Sequence, residues 1–128
     1  MKRLPAFFRT AALSNWFLGA STVFHKAQFN LLGLEPANYS TLIVLTGMLG
    51  VVLGVLYWDI AEKPEHRLAL LKIGLLSKGG GSLIWLIGLI TRDIPSTFWF
   101  YACWADFIWL PGFAYYYIKL YKGKRGVK

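Results

Sequence analysis

Four long apolar stretches alternate with short polar segments along the chain. They cover residues 7–24, 39–58, 68–90 and 98–118. Each stretch is close to the roughly 20 residues that an α-helix needs to cross a bilayer. Because the polar links are short, we expect consecutive helices to be antiparallel in one bundle. The pattern predicts an all-α protein whose single domain, residues 1–128, is an integral membrane bundle of four transmembrane helices.

The composition favours lipid over water as the surroundings of this chain. Hydrophobic residues make up 56% of its 128 residues, and the mean hydropathy is +0.48. A soluble domain of this size has too little interior for so much apolar surface. The net charge of +8 comes from cations at the edges of the apolar stretches, as in membrane proteins. We therefore expect membrane lipids as partners and no nucleic acid.

Lys and Arg are distributed unequally between the two ends of the predicted spans. Ten lie near the two termini and the link between the second and third spans, whereas only Lys26 and Arg92 lie on the other side. Loops rich in Lys and Arg remain in the cytoplasm. We therefore expect a multi-pass membrane protein with both termini in the cytoplasm.

Two ionisable residues lie near the middle of predicted spans, where a charge is costly. Lys78 is about ten residues into the third span, and Asp106 is about eight residues into the fourth, which enters from the opposite face. At ~1.5 Å per residue they reach similar depths, so we expect an ion pair inside the bundle. Asn15, at a similar depth in the first span, is expected to donate a hydrogen bond to the same cluster.

The neighbours of this pair favour a binding site. Three consecutive glycines leave space beside Lys78, two tryptophans bracket Asp106, and Pro111 should kink the fourth helix and open a crevice. The predicted ligand-binding residues are Asn15, Lys78, Gly79, Gly80, Gly81, Trp104, Asp106 and Trp109. A structural clamp that fixes the order of the helices is the competing interpretation of the same residues.

Other possible sites have simpler explanations. Gly50 and Gly54 form a GxxxG pair, which packing within the bundle explains as well as a dimer contact does. Cys103 lies in an apolar run and is expected to be a small buried hydrophobe. His25 and His66 lie at opposite faces of the membrane, so we expect no metal site, and we predict no cofactor.

Three segments resemble a family of short bacterial four-helix integral membrane proteins. They are LLGLEPANYS at 31–40, KIGLLSKGGGSLIWLIG at 72–88 and ADFIWLPGFAYY at 105–116. The family motifs are Leu-Gly-x-Glu-Pro-Pro-Asn-Tyr, Gly-Lys-x-x-Gly-Pro and Asn-Asp-Leu-Ile-Trp-Trp. The chain departs from them at Ala105, at Gly81-Ser82 and at Leu110.

The resemblance implies a multi-pass protein of the bacterial inner (plasma) membrane and a set of motif positions, but no activity. It matches Glu35, Asn38 and Tyr39 in the outer loop, together with Lys78, Asp106 and Trp109, to family motif residues. Members are sometimes labelled alkyl hydroperoxide reductase. That label does not suit this chain, because a peroxidatic cysteine must be reactive and accessible, whereas Cys103 is expected in lipid or core.

Three functions of different classes are compatible with these features. The leading hypothesis is a non-enzymatic membrane protein that binds a hydrophobic ligand or a partner helix at the Lys78–Asp106 groove, as an accessory subunit of a larger membrane assembly. The second is an enzyme acting on a lipid or isoprenoid, in which Asp106 is the general acid or base and Lys78 adjusts the pKa of Asp106. The third is a dimeric proton-coupled small transporter, which the absence of an acidic residue in the first span disfavours.

Overall fold

The computed structural model describes residues 3–126, and every regular element in that range is helical. The α-helices are α1 (Arg3–Ser21), α2 (His25–Leu31), α3 (Ser40–Glu62), α4 (Leu68–Thr91), α5 (Trp99–Ala102) and α6 (Leu110–Arg125). The 3-10 turns Thr22–Phe24, Pro64–His66 and Ser96–Phe98 precede α2, α4 and α5, and the π-turn Cys103–Phe107 follows α5. Because α1 continues into α2, and α5 continues through the π-turn towards α6, the chain forms four helices. The all-α prediction is confirmed.

Consecutive helices run antiparallel, as the short links predict. Contacts between α1 and α3 pair falling residue numbers on α1 with rising numbers on α3, with Gly19 against Gly47 and Asn15 against Gly50. Along α4 and the fourth helix they do the same, with Gly74 against Phe113 and Gly81 against Asp106. The bundle is therefore an up-down arrangement.

Small residues bring α1 and α3 into backbone contact. A Cβ added at Gly19 would lie 2.5 Å from the carbonyl oxygen of Gly47, and a Cβ at Gly47 would be equally close to that of Gly19. The indole of Trp16 packs on Gly54 and donates to the Val51 carbonyl (3.1 Å). The glycines of the second predicted span thus serve packing within the bundle, which is the simpler of the two interpretations of the GxxxG pair.

The fourth helix is interrupted one turn before Pro111, where the sequence predicts a kink. Proline has no N–H and its ring crowds the carbonyl four residues earlier, so the regular helix α6 starts at Leu110 with the proline in its first turn. Above the break the backbone N–H of Ile108 bonds to Cys103 O, five residues back (3.1 Å), and that of Trp109 bonds to Asp106 O (3.1 Å). The π-turn carries Asp106.

The packed core lies in one half of the bundle. It is formed by the first half of α1, the end of α3, the start of α4, and α6. Its fully buried large side chains are Tyr57, Phe8, Phe113, Leu4, Ile60 and Leu71. Edge-to-face aromatic contacts such as Tyr57–Phe113 (ring centroids 4.8 Å apart) fill it. The core thus occupies the end of the bundle where the 63–67 link lies.

Among the described residues, two helices rather than four are long and apolar enough to cross a membrane, α3 and α4. The prediction of four spans is therefore confirmed only in part. The first helix fails on composition, because α1 contains Arg9, Ser14 and Asn15. The fourth fails on length, because the π-turn leaves α6 with 16 residues. Of the cations that predict orientation, Lys2 and Lys128 lie outside the described residues.

Candidate functional site

Lys78 lies where three helices meet. It belongs to α4, and its side chain is 3% exposed. Its Nζ donates to Asn15 Oδ1 on α1 (3.1 Å) and to the carbonyl oxygen of Ala105, and it lies 3.3 Å from Asp106 Oδ1. Two of the three N–H donors of the ammonium thus have neutral oxygen acceptors, and the nearby carboxylate balances its charge. The predicted ion pair is present, and Lys78 ties α1 and α4 to the fourth helix.

Asn15 connects the remaining helix to this cluster. Its Nδ2 donates to the carbonyl oxygen of Gly50 on α3 (3.3 Å), while its Oδ1 accepts from Lys78. The prediction that Asn15 joins the cluster is confirmed, but the predicted direction of its bond to the pair was wrong. A protonated lysine can only donate, so the amide oxygen accepts. All four helices are therefore linked at one depth.

Asp106 is held between Lys78 and a glycine of α4. Its Oδ1 faces the ammonium, and its Oδ2 lies over Gly81, where an added Cβ would come within 2.5 Å of that oxygen. The side chain is 13% exposed. Single π-turns such as the one that carries Asp106 occur frequently at functional sites. The carboxylate thus requires a residue without a side chain at position 81.

A cavity of about 450 Å³ starts at this cluster and extends towards the end of the bundle where the 32–39 loop lies. Its walls are mostly apolar and come from all four helices. Thr46 and Leu49, which line it, are exposed, so the cavity opens to the exterior along α3. Its size lies in the range of small-molecule sites. The polar cluster is therefore the floor of an open cavity.

Four of the predicted ligand-binding residues line this cavity: Asn15, Lys78, Gly81 and Asp106. The other two glycines do not. Gly80 is exposed, with open space where a Cβ would be, and a Cβ at Gly79 would meet Leu110 at 3.9 Å. Successive helical residues are about 100° apart, so three consecutive glycines cannot share one face. Gly79 and Gly80 therefore lie outside the lining of this cavity, and only Gly81 of the three is part of it.

The two predicted tryptophan walls also lie elsewhere. Trp104 is two residues before Asp106, and residues at that spacing do not face each other on a helix. Its exposed ring packs against Phe100. Trp109 follows the break in the helix; its indole nitrogen donates to Trp104 O (2.8 Å) and its ring contacts Phe7. Neither lines the cavity.

Other aromatic side chains form the far end of the cavity, and sequence reasoning missed them. Phe98 stacks on Trp85 (ring centroids 6.3 Å apart) and contacts Phe29 (5.7 Å) and Tyr101 (5.6 Å). All four line the cavity. Trp85 was accessible to pattern reasoning, because it follows Lys78 by seven residues, or two turns, and so lies on the same face. The others come from α2 and the start of the fourth helix, whose position depends on packing.

His25 lies in the wall of the cavity, not at an exposed interface. It is 5% exposed, and its Nδ1 lies 2.8 Å from the carbonyl oxygen of Thr22. Its Nε2 has no hydrogen-bond partner among the described residues. Within residues 3–126, no group of three His, Cys, Asp or Glu side chains could hold a metal ion.

The three outer-loop residues of the family motif stand apart from this site. Glu35, Asn38 and Tyr39 are exposed in the loop before α3, and none of them lines the cavity. Comparison of the chain with protein-family models, with curated proteins and with solved structures finds no match. The function therefore has to be argued from the site itself.

Proposed function

We propose that this chain is a four-span protein of the bacterial inner membrane, with both termini in the cytoplasm. The low burial of α3 and α4 supports this: only 17% and 22% of their most apolar windows are buried, whereas the core helix of a soluble protein is mostly buried. The ten-to-two distribution of Lys and Arg supports the orientation. The resemblance to short four-helix membrane proteins, carried by residues 31–40, 72–88 and 105–116, is part of the same proposal.

The polar residues of the first helix are compatible with a span. Ser14 and Asn15 are buried inside the bundle, so lipid does not meet them. Arg9 lies towards the packed end and pairs with Glu62 (3.1 Å) at the end of α3. Polar groups within membrane helices usually face the bundle interior in this way. The fourth helix reaches the length of a span if α5, the π-turn and α6 are taken together.

The function that we propose is binding of a hydrophobic small molecule with a polar head. The observation that carries it is the cavity of about 450 Å³, which combines mostly apolar walls, a polar floor at Lys78–Asp106 and an opening along α3 beside the exposed Thr46 and Leu49. An amphiphile could enter it sideways from the lipid. The cavity favours a small molecule over a partner helix, because a helix with its side chains is ~10 Å wide and would need a groove along the whole bundle. A role as an accessory subunit of a membrane assembly is compatible with this activity.

A pair of tryptophan substitutions on α3 tests the proposal. Leu49 and Met48 are adjacent and almost equally exposed (59% and 61%), but only Leu49 lines the cavity. Native mass spectrometry in mild detergent should show a bound small molecule on the wild type and on Met48→Trp. Leu49→Trp, whose indole would occupy the opening, should lose it while melting at a similar temperature.

Equal occupancy of the two variants would contradict the proposal, and so would a wild type without any bound molecule. If a second polypeptide is retained by the wild type and by Met48→Trp but is lost from Leu49→Trp, the ligand of the cavity is a partner helix and not a small molecule.

An enzyme that acts on a lipid or isoprenoid is the second candidate. The observation that favours it is the position of Asp106 on the cavity wall, where one carboxylate oxygen is not directed at Lys78. A general acid or base must reach its substrate in this way. The test is to incubate a lipid with each protein. If the wild type changes the lipid chemically and Leu49→Trp does not, the chain is an enzyme and not only a binding protein.

A further inference from the structure

The polar groups around the cavity determine which head groups it accepts. Among the described residues that line it, Lys78 is the one Lys or Arg and Asp106 the one acidic residue, and they are paired. The ion pair is therefore neutral as a unit. Lys78 donates to Asn15 and to Ala105 and forms its ion pair with Asp106, so its charge is already balanced within the protein.

Several other donors in the wall are also directed at the protein. The hydroxyls of Ser21, Thr22 and Thr46 donate to the carbonyl oxygens of Leu18, Gly19 and Leu42. His25 Nδ1 lies 2.8 Å from Thr22 O, and its Nε2 is buried without a hydrogen-bond partner among the described residues. Gln28, Tyr101 and Trp85, which also line the cavity, carry N–H or O–H donors but no charge. The wall therefore offers a ligand neutral hydrogen-bonding groups and, among the described residues, no second Lys or Arg.

Asp106 is the strongest hydrogen-bond acceptor among these lining residues. A carboxylate offers about four lone-pair sites over its two oxygens; Lys78 faces Oδ1 and Trp85 also hydrogen-bonds to the carboxylate, which leaves about two sites. The carboxylate lines the cavity floor. An incoming donor could bond to it there, and hydrogen bonds to an ionised acceptor are stronger than neutral ones.

We propose that the cavity selects a long-chain amphiphile with a neutral hydroxyl head, which donates its O–H to Asp106. This inference rests on the proposed binding function and narrows it to a class of ligand. A carboxylate or phosphate head would meet the Asp106 charge, and the described lining holds no second Lys or Arg to balance the added negative charge. An ammonium head could donate, but it would lie beside the Lys78 ammonium, and like charges in a dry site repel strongly.

Three probes with the same tail test this selection. Dodecan-1-ol, dodecylammonium and dodecanoate are titrated into the detergent-solubilised full chain, and bound molecules are counted by native mass spectrometry. Leu49→Trp serves as the blank for non-specific uptake, and Met48→Trp as its matched control. Dodecan-1-ol should bind about tenfold or more tightly than dodecanoate, with dodecylammonium between them.

The results separate the inference from the function on which it rests. Dodecanoate or dodecylammonium binding as tightly as dodecan-1-ol would overturn the hydroxyl selection and leave the binding function standing. No probe binding above the Leu49→Trp blank would overturn both.

A double variant checks the role assigned to the carboxylate. Lys78→Met with Asp106→Asn removes both charges together and puts an amide, which has N–H donors, on the cavity floor. Dodecanoate should then gain affinity relative to dodecan-1-ol, so that the tenfold preference shrinks. If the folded double variant still prefers dodecan-1-ol over dodecanoate to the same extent, Asp106 does not determine which head group binds. If the double variant does not fold, the titration of the wild type still tests the head-group selection by itself.

Discussion

Lys78 shows how a buried charge is accommodated in an apolar bundle. The cost of removing an ammonium from water is offset only when its donors are satisfied and an opposite charge is close. Here Asp106 supplies the charge, while Asn15 and Ala105 supply neutral oxygens. The arrangement favours the clamp interpretation for Lys78 itself. Asp106 lines the cavity, so in the proposed function it is the carboxylate that contacts the ligand.

A double-mutant cycle measures this coupling. Lys78→Met alone leaves the Asp106 charge unpaired and should destabilise the protein by about 3–5 kcal/mol. Lys78→Met combined with Asp106→Leu removes both charges and should destabilise it less than the single change does. Unfolding in detergent gives the free energies, with Lys72→Met as control, because Lys72 is exposed on the same helix. Additive losses would show that the pair is not coupled.

Neighbouring glycines give a second prediction at the residue scale. Gly81→Ala would place a methyl group 2.5 Å from Asp106 Oδ2, so the carboxylate has to move and the ion pair weakens. We expect a loss of about 1–3 kcal/mol, as for other overpacked sites. Gly80→Ala meets open space and should be neutral or stabilise the helix by up to ~1 kcal/mol. Melting curves that rank the two variants in the opposite order would contradict this account of the site.

The polar cluster was predictable from the depth of its residues in the spans and from the free-energy cost of burying a charge there. The direction in which each side chain points around its helix was not. An ionisable residue at mid-span needs a partner, and the partner had to lie at the same depth. That argument finds Lys78, Asp106 and Asn15 without a structure. It says nothing about which side of α4 faces inwards, and so it could not separate Gly81 from Gly80.

At the scale of elements, the closest contact is that between α1 and α3. Gly19 and Gly47 place the two backbones against each other, so neither position tolerates a side chain. Gly50 lies on the same side of α3, but its added Cβ would meet Gly19 Cα at an ordinary 3.7 Å. Close approach of this kind gives van der Waals contact to helices that have no hydrophobic drive to associate in lipid.

These distances predict a contrast between two alanine variants of α3. Gly47→Ala should destabilise the bundle by about 1–3 kcal/mol, because its methyl group would overlap Thr22 and the backbone of Gly19. Gly50→Ala should be close to neutral, since the better helix propensity of alanine offsets a small adjustment. Both can be compared by thermal unfolding in the same detergent. A larger loss for Gly50→Ala would mean that the two helices are packed in a different register.

The element boundaries were predictable where composition alone decides them. The third predicted span, residues 68–90, matches α4 (Leu68–Thr91) to within one residue. The break near Pro111 follows from its missing N–H. The π-turn could not be predicted, because its i+5 hydrogen bond depends on how Asp106 is drawn towards α4. Phe29, Phe98 and Tyr101 were missed because packing, and not local pattern, positions α2 and the start of the fourth helix.

The whole molecule has a packed half and a hollow half, separated by the Lys78 cluster. On one side, Phe8, Tyr57 and Phe113 fill the interior. On the other, the cavity lies between the helices, although α1 and α3 remain in contact at Gly19 and Gly47. In the proposed orientation the packed half is cytoplasmic and the cavity opens in the outer half of the membrane. A ligand from the outer leaflet would therefore reach the site without crossing the core.

Reporter fusions decide between this four-span topology and a chain in which only α3 and α4 cross. In the four-span protein, the 63–67 link and the C-terminus share the cytoplasmic side, because an even number of spans, α4 and the fourth helix, lies between them. Insertions at Asn38 or Asp93 should then report the outside. If only α3 and α4 crossed, one span would separate the 63–67 link from the C-terminus, and the two reporters would disagree. The count of Lys and Arg favours agreement, since it places both sites among the ten cations of the cytoplasmic side. A cytoplasmic signal at both, with an outside signal at Asp93, therefore requires the interrupted fourth helix to span the membrane.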